Sequence, residues 1–383
     1  MAAAGAVGKR RRATNSTGLL GGGQRGTLLV TLDRDSPVPE MVGVYPTRGR
    51  PVPISSDASL LSLDPLSVLE PAWSNFTEAI GASGGPTLPV VSVLGSVAPG
   101  ELTSLPGFEE LLLLRRIRDE ATSGRWTTVV VDCSGLGDPF ALLRAPAALS
   151  QTIDRLWPRH RRLAAASERP VLARVSAAVD EVDRDCRDVI DLLSDPHTTA
   201  AHLVVDSGPR GERQLPRLAA LAALTALPVR QVSGNDGTAA VVSAGFEAVA
   251  AAAAAGLGAV TTRIPAVDGP LDRVARLRRL GILVEPPSGA PVGTAAAVVD
   301  RVEGSGLQAV YEMRWHQPLP DPSALGLGRA GDDLLVTISG FRFPVRLPSV
   351  LRRCSVTGAT WDDDELCVRF APDPAVWPTR PTA

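Results

Sequence analysis

Four short apolar runs, each breaking into a polar or glycine-rich turn and set between helical patterns, constrain this chain most strongly. The first is Leu28 to Val30 in "GTLLVTLDRDSP", which ends in charged residues and Pro37 as a buried strand does where it enters a loop. The second, Thr127 to Val131 in "TTVVVDCSGLGDP", is β-branched and stops at a Gly-rich turn. "AHLVVDSG" and "VRQVSG" repeat the pattern. Between the runs, "LPGFEELLLLRRIRDEATSGRW" reads as a helix with Pro106 near its start, acidic residues in the first turn and Gly124 at its end. Residues 139 to 193 carry Leu and Ala at spacings of three and four, with Arg on the other face, and "ERQLPRLAALAALTALP" is a further helix. Strand and helix in alternation predict an α/β fold, a mainly parallel sheet flanked by helices. Its ligand edge is the carboxyl ends of the strands. The stretch from Val38 to Pro89 reads as partly irregular, and Thr238 to Leu280 as Ala-rich helix, with "GILVEPPSGAPVG" closing the unit.

After "EGSG" the pattern changes to period two: "LQAVYEMRWHQPLP", "DDLLVTISG", "FRFPVRLP", "CSVTGATW" and "ELCVRF" alternate and are separated by Gly, Pro and Asp turns. This predicts a small all-β sandwich, with Leu335, Val345, Leu347, Val356, Leu366, Val368 and Phe370 as core candidates. The expected organisation is an α/β domain over 1–302, a linker at 303–306, the sandwich over 307–371 and a tail over 372–383. A chain of 383 residues is long enough for both units.

The net charge of -2 supplies no field to draw in nucleic acid. Four cysteines, Cys133, Cys186, Cys354 and Cys367, lie far apart with no C-x-x-C pair, and the histidines add no metal-ligand spacing, so no resident metal is expected from them. The most apolar run, Ala248 to Val260, is 13 residues of mostly alanine, too short to span a bilayer. With no apolar segment after the "KRRR" run, the sequence predicts a cytoplasmic protein. Arginine stands in for lysine almost everywhere, as a GC-rich genome would give. The single lysine is Lys9.

Lys9 lies in "GAVGKRRRA", and this context raises the chemistry of a phosphate loop. Glycine backbone N–H groups wrap phosphate oxygens, a Lys neutralises their charge and a following Ser or Thr holds Mg²⁺. Gly5, Gly8 and Lys9 meet the first two needs; Arg10 stands where the metal ligand belongs, and only four residues precede Gly5, leaving no room for a leading strand. Two strand-end carboxylates join the candidates: Asp33, and Asp132 with Gly135 and Gly137 after it. In nucleotide hydrolases such groups orient water or the Mg²⁺ shell.

Taken together, these segments resemble the ArsA-type ATPases, P-loop proteins that include arsenite-pump ATPases and a targeting factor for tail-anchored membrane proteins. "LPGFEELLLLRRIRDEATSGRWTTVVVDCSGLGDPFALLRAPAAL" is similar to the family's helix and switch II, through Asp132, Gly137, Asp138, Leu142 and Leu143. "LLSDPHTTAAHLVV" is similar to its D-P-x-x-T segment through Asp195, Pro196 and Thr199, and "PVG" at 291–293 to its closing motif. The resemblance puts Asp33 at the switch I aspartate and makes Asn235, in "VRQVSGND", the adenine reader. It implies catalytic roles for Asp33 and Asp132, nucleotide contacts for Gly5, Gly8, Lys9, Gly137 and Asn235, and ATP with Mg as cofactor.

The same resemblance marks losses. Ala3, Ala4 and Arg10 stand at positions of the loop's first Gly, its cross-subunit lysine and its Mg²⁺ ligand, and Arg34 and Ser36 replace the proline and histidine after the switch I aspartate. Family nucleotides bind across a dimer face, so the implied state is a homodimer, or a heterodimer with an ArsA-type paralogue, with a peripheral link to a membrane transporter allowed. The implied role is a weakly active or non-catalytic partner subunit. Two alternatives stay open: an active ATP-hydrolysing transport or targeting ATPase using Arg10 to Arg12, or a nucleotide-independent scaffold. The C-terminal unit resembles the small heat-shock (alpha-crystallin-like) module that ends many bacterial ArsA-type proteins. Arg159, Arg161 and Arg162 read as a solvated helix face, and Ser150 to Ser194, where tail-anchor-binding relatives have an apolar groove, is rich in Arg and Asp.

Overall fold

A computed structural model of the chain describes residues 2–8, 26–81, 97–101, 107–168, 170–237, 241–269, 271 and 273–377. An eight-stranded sheet organises the first unit, in the order β3 (Val52–Pro53), β4 (Ala58–Ser62), β2 (Gly26–Thr31), β5 (Trp126–Asp132), β1 (Ala2–Gly8), β6 (Thr199–Asp206), β7 (Val229–Asn235), β8 (Val260–Ile264). The runs read as strands from sequence form β2 (Gly26–Thr31), β5 (Trp126–Asp132), β6 (Thr199–Asp206) and β7 (Val229–Asn235). Parallel pairing joins β2 to β5 and β6 to β7. The helices that cross between strands are α3 (Phe108–Thr122), α4 (Pro139–Leu156), α5 (Arg159–Glu168), α6 (Pro170–Ser194), α7 (Pro209–Leu224) and α8 (Phe246–Leu257).

The sheet is wider than the sequence reading had it. Within the stretch read as irregular, β4 (Ala58–Ser62) adds in parallel beside β2, and a helix, α2 (Pro65–Gly81), follows. In the Ala-rich stretch read as helix, α8 stops at Gly258, whose φ of +63° closes a left-handed cap, and β8 (Val260–Ile264) then pairs with β7. The further departure is central. Residues Ala2–Gly8, read as a phosphate loop with no strand before it, form β1 between β5 and β6 and run antiparallel to both.

Two hydrophobic cores flank the sheet. One gathers Leu28, Val30, Leu61, Leu114, Val129, Val131 and Val189. The other surrounds α7, whose run from Leu218 to Leu224 is almost wholly buried, and it continues without a break into Trp315, Leu334, Val336, Phe341, Leu366 and Phe370 of the C-terminal β unit. That unit holds a four-stranded sheet, in the order β14 (Cys354–Asp362), β15 (Glu365–Pro372), β10 (Val310–His316), β9 (Val298–Glu303), and a three-stranded one of β11 (Leu325–Ala330), β12 (Asp333–Ile338) and β13 (Phe341–Arg346). Its expected core residues Val345, Leu347, Leu366, Val368 and Phe370 are buried. The boundary expected at 303–306 is corrected: β9 (Val298–Glu303) pairs with β10 (Val310–His316), so "EGSG" is the turn between two strands of one sheet. Gly293 explains how closely the units meet, because a Cβ there would overlap the Ala223 carbonyl at the end of α7.

A polar core sits where α4, α5 and α6 meet, and it corrects the expectation for one of three arginines. Arg162 is 0% exposed. Its Nε donates to Asp180 at 2.9 Å and its Nη1 to the Trp157 carbonyl at 2.6 Å. Its Nη2 lies 3.6 Å from Asp183, which also accepts from Ser150 Oγ at 2.7 Å and pairs with Arg187. Arg159 and Arg161 do face solvent. Among the described residues no helix is long and apolar enough to cross a membrane.

Candidate functional site

Parallel pairing carries the ends of β2, β5, β6, β7 and β8 to one edge of the sheet. Thr31 pairs with Asp132, and Asp206 with Asn235. Asp33, Asp132 and Asn235 therefore share the carboxyl edge, where open α/β sheets bind ligands. Two strands, β1 and β6, lie between β5, which ends in Asp132, and β7, which ends in Asn235, so about 14 Å separates these two strands at the usual spacing.

Each carboxylate organises its own turn. Asp33 accepts from the Asp35 N–H at 3.0 Å, and Asp132 accepts from the Ser134 N–H and Oγ, both at 2.9 Å. The loop after β5 then passes directly over Asp33. Gly135 has φ +80°, and a Cβ on it would stand 2.5 Å from Asp33 Cγ, so only glycine lets this backbone rest against the carboxylate. Gly137 is exposed with open space around its Cα. Asp138 ends the loop by capping α4, accepting from the Phe140 N–H at 3.0 Å. Asn235 Oδ1 accepts from the Gly237 N–H at 3.0 Å, shaping the turn after β7.

Gly5 and Gly8 are placed differently from the loop reading. Both lie inside β1: Gly5 is paired with Val131 and Ala201, and Gly8 with Thr128, near the amino end of β5. The chain runs away from the carboxyl edge along β1, so Gly8 leaves the sheet on the side opposite Asp33 and Asn235. A glycine held between two strands cannot wrap its backbone around a phosphate. Lys9 and Arg10 lie outside the described residues. Among the described residues no cluster of three His, Cys, Asp or Glu side chains is placed to hold a metal ion. Of the residues expected at a Mg·ATP site, Asp33, Asp132 and Asn235 thus lie at one edge of the sheet, and Gly8 leaves it at the other.

Sequence reasoning missed part of this edge. Asp206 ends β6 as Asp132 ends β5, and its Oδ1 accepts from the Gly208 N–H at 3.0 Å at the start of α7; the run "HLVVD" carried the same signal as "TVVVD". Beyond Asn235, Asp236 is held by Arg263 through two contacts of 2.8 Å and by Ser207 at 2.5 Å, and these donors lower its pKa. Arg263 also reaches Glu247 at 2.5 Å. Burial and the neighbouring Asp132 push the Cys133 thiol up to about 12, which disfavours its thiolate. Cys186, Cys354 and Cys367 are also free, and burial raises each of them.

Comparison with known proteins gives this geometry a family. The family described as anion-transporting ATPase matches residues 1–212, and the HSP20-like domain found in ArsA matches residues 308–370. Protein Rv2184c of Mycobacterium tuberculosis is 32% identical over 391 aligned residues, covering 94% of this chain and 92% of the relative. An uncharacterized protein of Streptomyces coelicolor, SCO2128, is 32% identical over 373 residues, with 92% and 91% covered. The chain belongs to the ArsA-type anion-transporting ATPase family and ends in an HSP20-like domain.

Proposed function

We propose that this member of the family is a weakly active or non-catalytic subunit that works beside a nucleotide-competent ArsA-type partner. In this reading the partner supplies the phosphate loop and Mg²⁺ ligand, and this chain contributes Asp33, the Asp132–Asp138 loop and Asn235 across a shared face. One observation carries it: the carboxyl edge keeps Asp33 against Gly135, while Gly5 and Gly8 are committed to a central strand. In sequence, Arg10 stands in place of the Mg²⁺ ligand, which removes much of the charge stabilisation phosphoryl transfer needs.

Calorimetric titration of Mg·ATP tests this, using the purified chain alone, the chain mixed with an ArsA-type paralogue from the same genome, and a Lys9→Ala variant. The expected result is weak or no binding alone, and binding by the mixture tighter than by the paralogue by itself. Strong binding alone that vanishes in Lys9→Ala, followed by turnover, would establish instead an ATPase complete in itself. Absence of any contribution to the mixture would leave a scaffold.

A further inference from the structure

The helix that starts at the Asp132 loop has one face given over to the C-terminal β unit. At its start, Phe140 packs edge-on against Phe341, centroids 6.3 Å apart. One turn on, the Arg144 guanidinium lies 4.8 Å above the same Phe341 ring and donates to the Arg342 carbonyl at 3.4 Å. Near its end, Asp154 meets Arg346 at 3.2 Å. Phe341, Arg342 and Arg346 all belong to β13 (Phe341–Arg346). Positions 140, 144 and 154 fall on one face of the helix, so α4 meets β13 near both of its ends. Leu142 faces the other way into the smaller core.

Those contacts join a continuous series that begins at the candidate site. Asp33 touches Gly135; the same loop ends in Asp138, which caps Phe140; Phe140 touches Phe341. The far part of this contact surface is not close-packed. A cleft of about 710 Å³ opens between α4, α6 and the β unit, with Asp154, Met313, Asp333, Phe343 and Arg346 on its walls. Arg346 crosses its rim, holding Asp332 at 3.2 Å and Asp333 at 3.3 Å as well as Asp154. A tightly packed contact would be rigid, whereas one bordered by open space has room for a second seating.

We infer that the C-terminal β unit restrains the Asp132–Asp138 loop through α4, so that the seating of β13 and the conformation of the loop are coupled. The inference rests on reading the Asp33–Asp132 edge as the working site. It gives the β unit a regulatory part there: an event that shifts the loop reseats β13, and a partner that grips the β unit alters the loop. By linkage the effect runs equally in both directions.

Hydrogen exchange on the full chain, without nucleotide, tests the coupling apart from any question of ATP binding. Arg144→Gln and Arg346→Gln should each speed exchange in residues 133–141 by about fivefold, the scale of one lost cation–π or ion-pair contact. Gly135→Ala should in turn speed exchange in 341–346. Arg314→Gln is the control, since it breaks a 2.7 Å pair with Asp300 elsewhere in the β unit and should leave 133–141 unchanged. The inference is overturned if the Arg144 and Arg346 variants loosen only 333–346, or if Arg314→Gln loosens 133–141 as much as they do. A chain that adds nothing to Mg·ATP binding by an ArsA-type paralogue but shows the reciprocal changes would refute the proposed function and leave the coupling standing.

Discussion

Replacing Arg162 by Met removes a charge from the centre of the α4–α5–α6 assembly while keeping most of its volume. Asp183, 1% exposed, then loses a cation 3.6 Å away, and Asp180 loses its 2.9 Å donor. Removing one partner of a buried ion pair generally costs 3–5 kcal/mol, because an uncompensated charge is left behind. Two features moderate that here. Asp180 is partly open to water, and Asp183 keeps Ser150 and Arg187. The expected loss is therefore about 3 kcal/mol, at the low end of that range. Urea unfolding with an unchanged m-value gives the difference from the shift in midpoint. The companion variant combines Arg162→Met with Asp183→Asn. With both charges gone, and the amide still able to accept from Ser150, the deficit should shrink to about 1–2 kcal/mol, a coupling that a double-mutant cycle reads directly. A single-variant loss below about 1 kcal/mol, or strictly additive variants, would refute the claim that burial makes this network energetically critical.

Two further substitutions probe other levels of the fold. His202, 2% exposed on β6, has no hydrogen-bond partner at either ring nitrogen among the described residues, and burial lowers its pKa, with nearby Gln231 offsetting part of the effect. As pH falls below about 6.5 the unfolded chain takes up this proton before the folded one, so stability drops by up to about 1.4 kcal/mol per pH unit until the folded-state pKa is reached. Above that window the term is fully present; His202→Leu should flatten the slope in unfolding curves taken between pH 5 and 7, and an unaltered slope would show that other groups carry it. Gly293→Ala should cost at least about 2 kcal/mol, from left-handed backbone strain plus a clash with the Ala223 carbonyl. Thermal melting would measure the cost, and a shift within error would mean that the α7 end gives way without penalty.

What the sequence disclosed and what it withheld divide by the range of the signal. β2, β5, β6 and β7 were legible because a buried parallel strand is a continuous apolar run, and the residue that ends the run is a local fact. Hence Asp33, Asp132 and Asn235 could be placed at the carboxyl edge. β4 escaped because "ASLLS" is short with only two large apolar residues, and β8, the β-branched "VTTRI", because it follows directly on the Ala-rich helix, divided from it only by the Gly258 cap. The buried state of Arg162 was out of reach, since its partners lie 18 and 21 positions away on another helix and nothing in "RHRRLAAASE" marks one arginine of three.

The direction of β1 belongs to a different class. Apolarity and period are unchanged when a strand is read backwards, so a strand's own pattern never states which way it runs. For β5, β6 and β7 the direction follows from their crossover helices, because a helix between two neighbouring strands returns the chain to the same end of the sheet. The residues of β1 themselves carry no such indication of direction. Its residues are alanine, glycine and one valine, which suit a narrow place between two buried strands equally well in either sense. The resemblance that joined Gly5 and Gly8 to Asp33 in one nucleotide site read them as a loop, with no strand before it. An antiparallel β1 keeps every residue of that reading and carries Gly8 to the opposite edge, which is why a motif judged by residue type and distance along the chain still needs strand direction before it becomes a site.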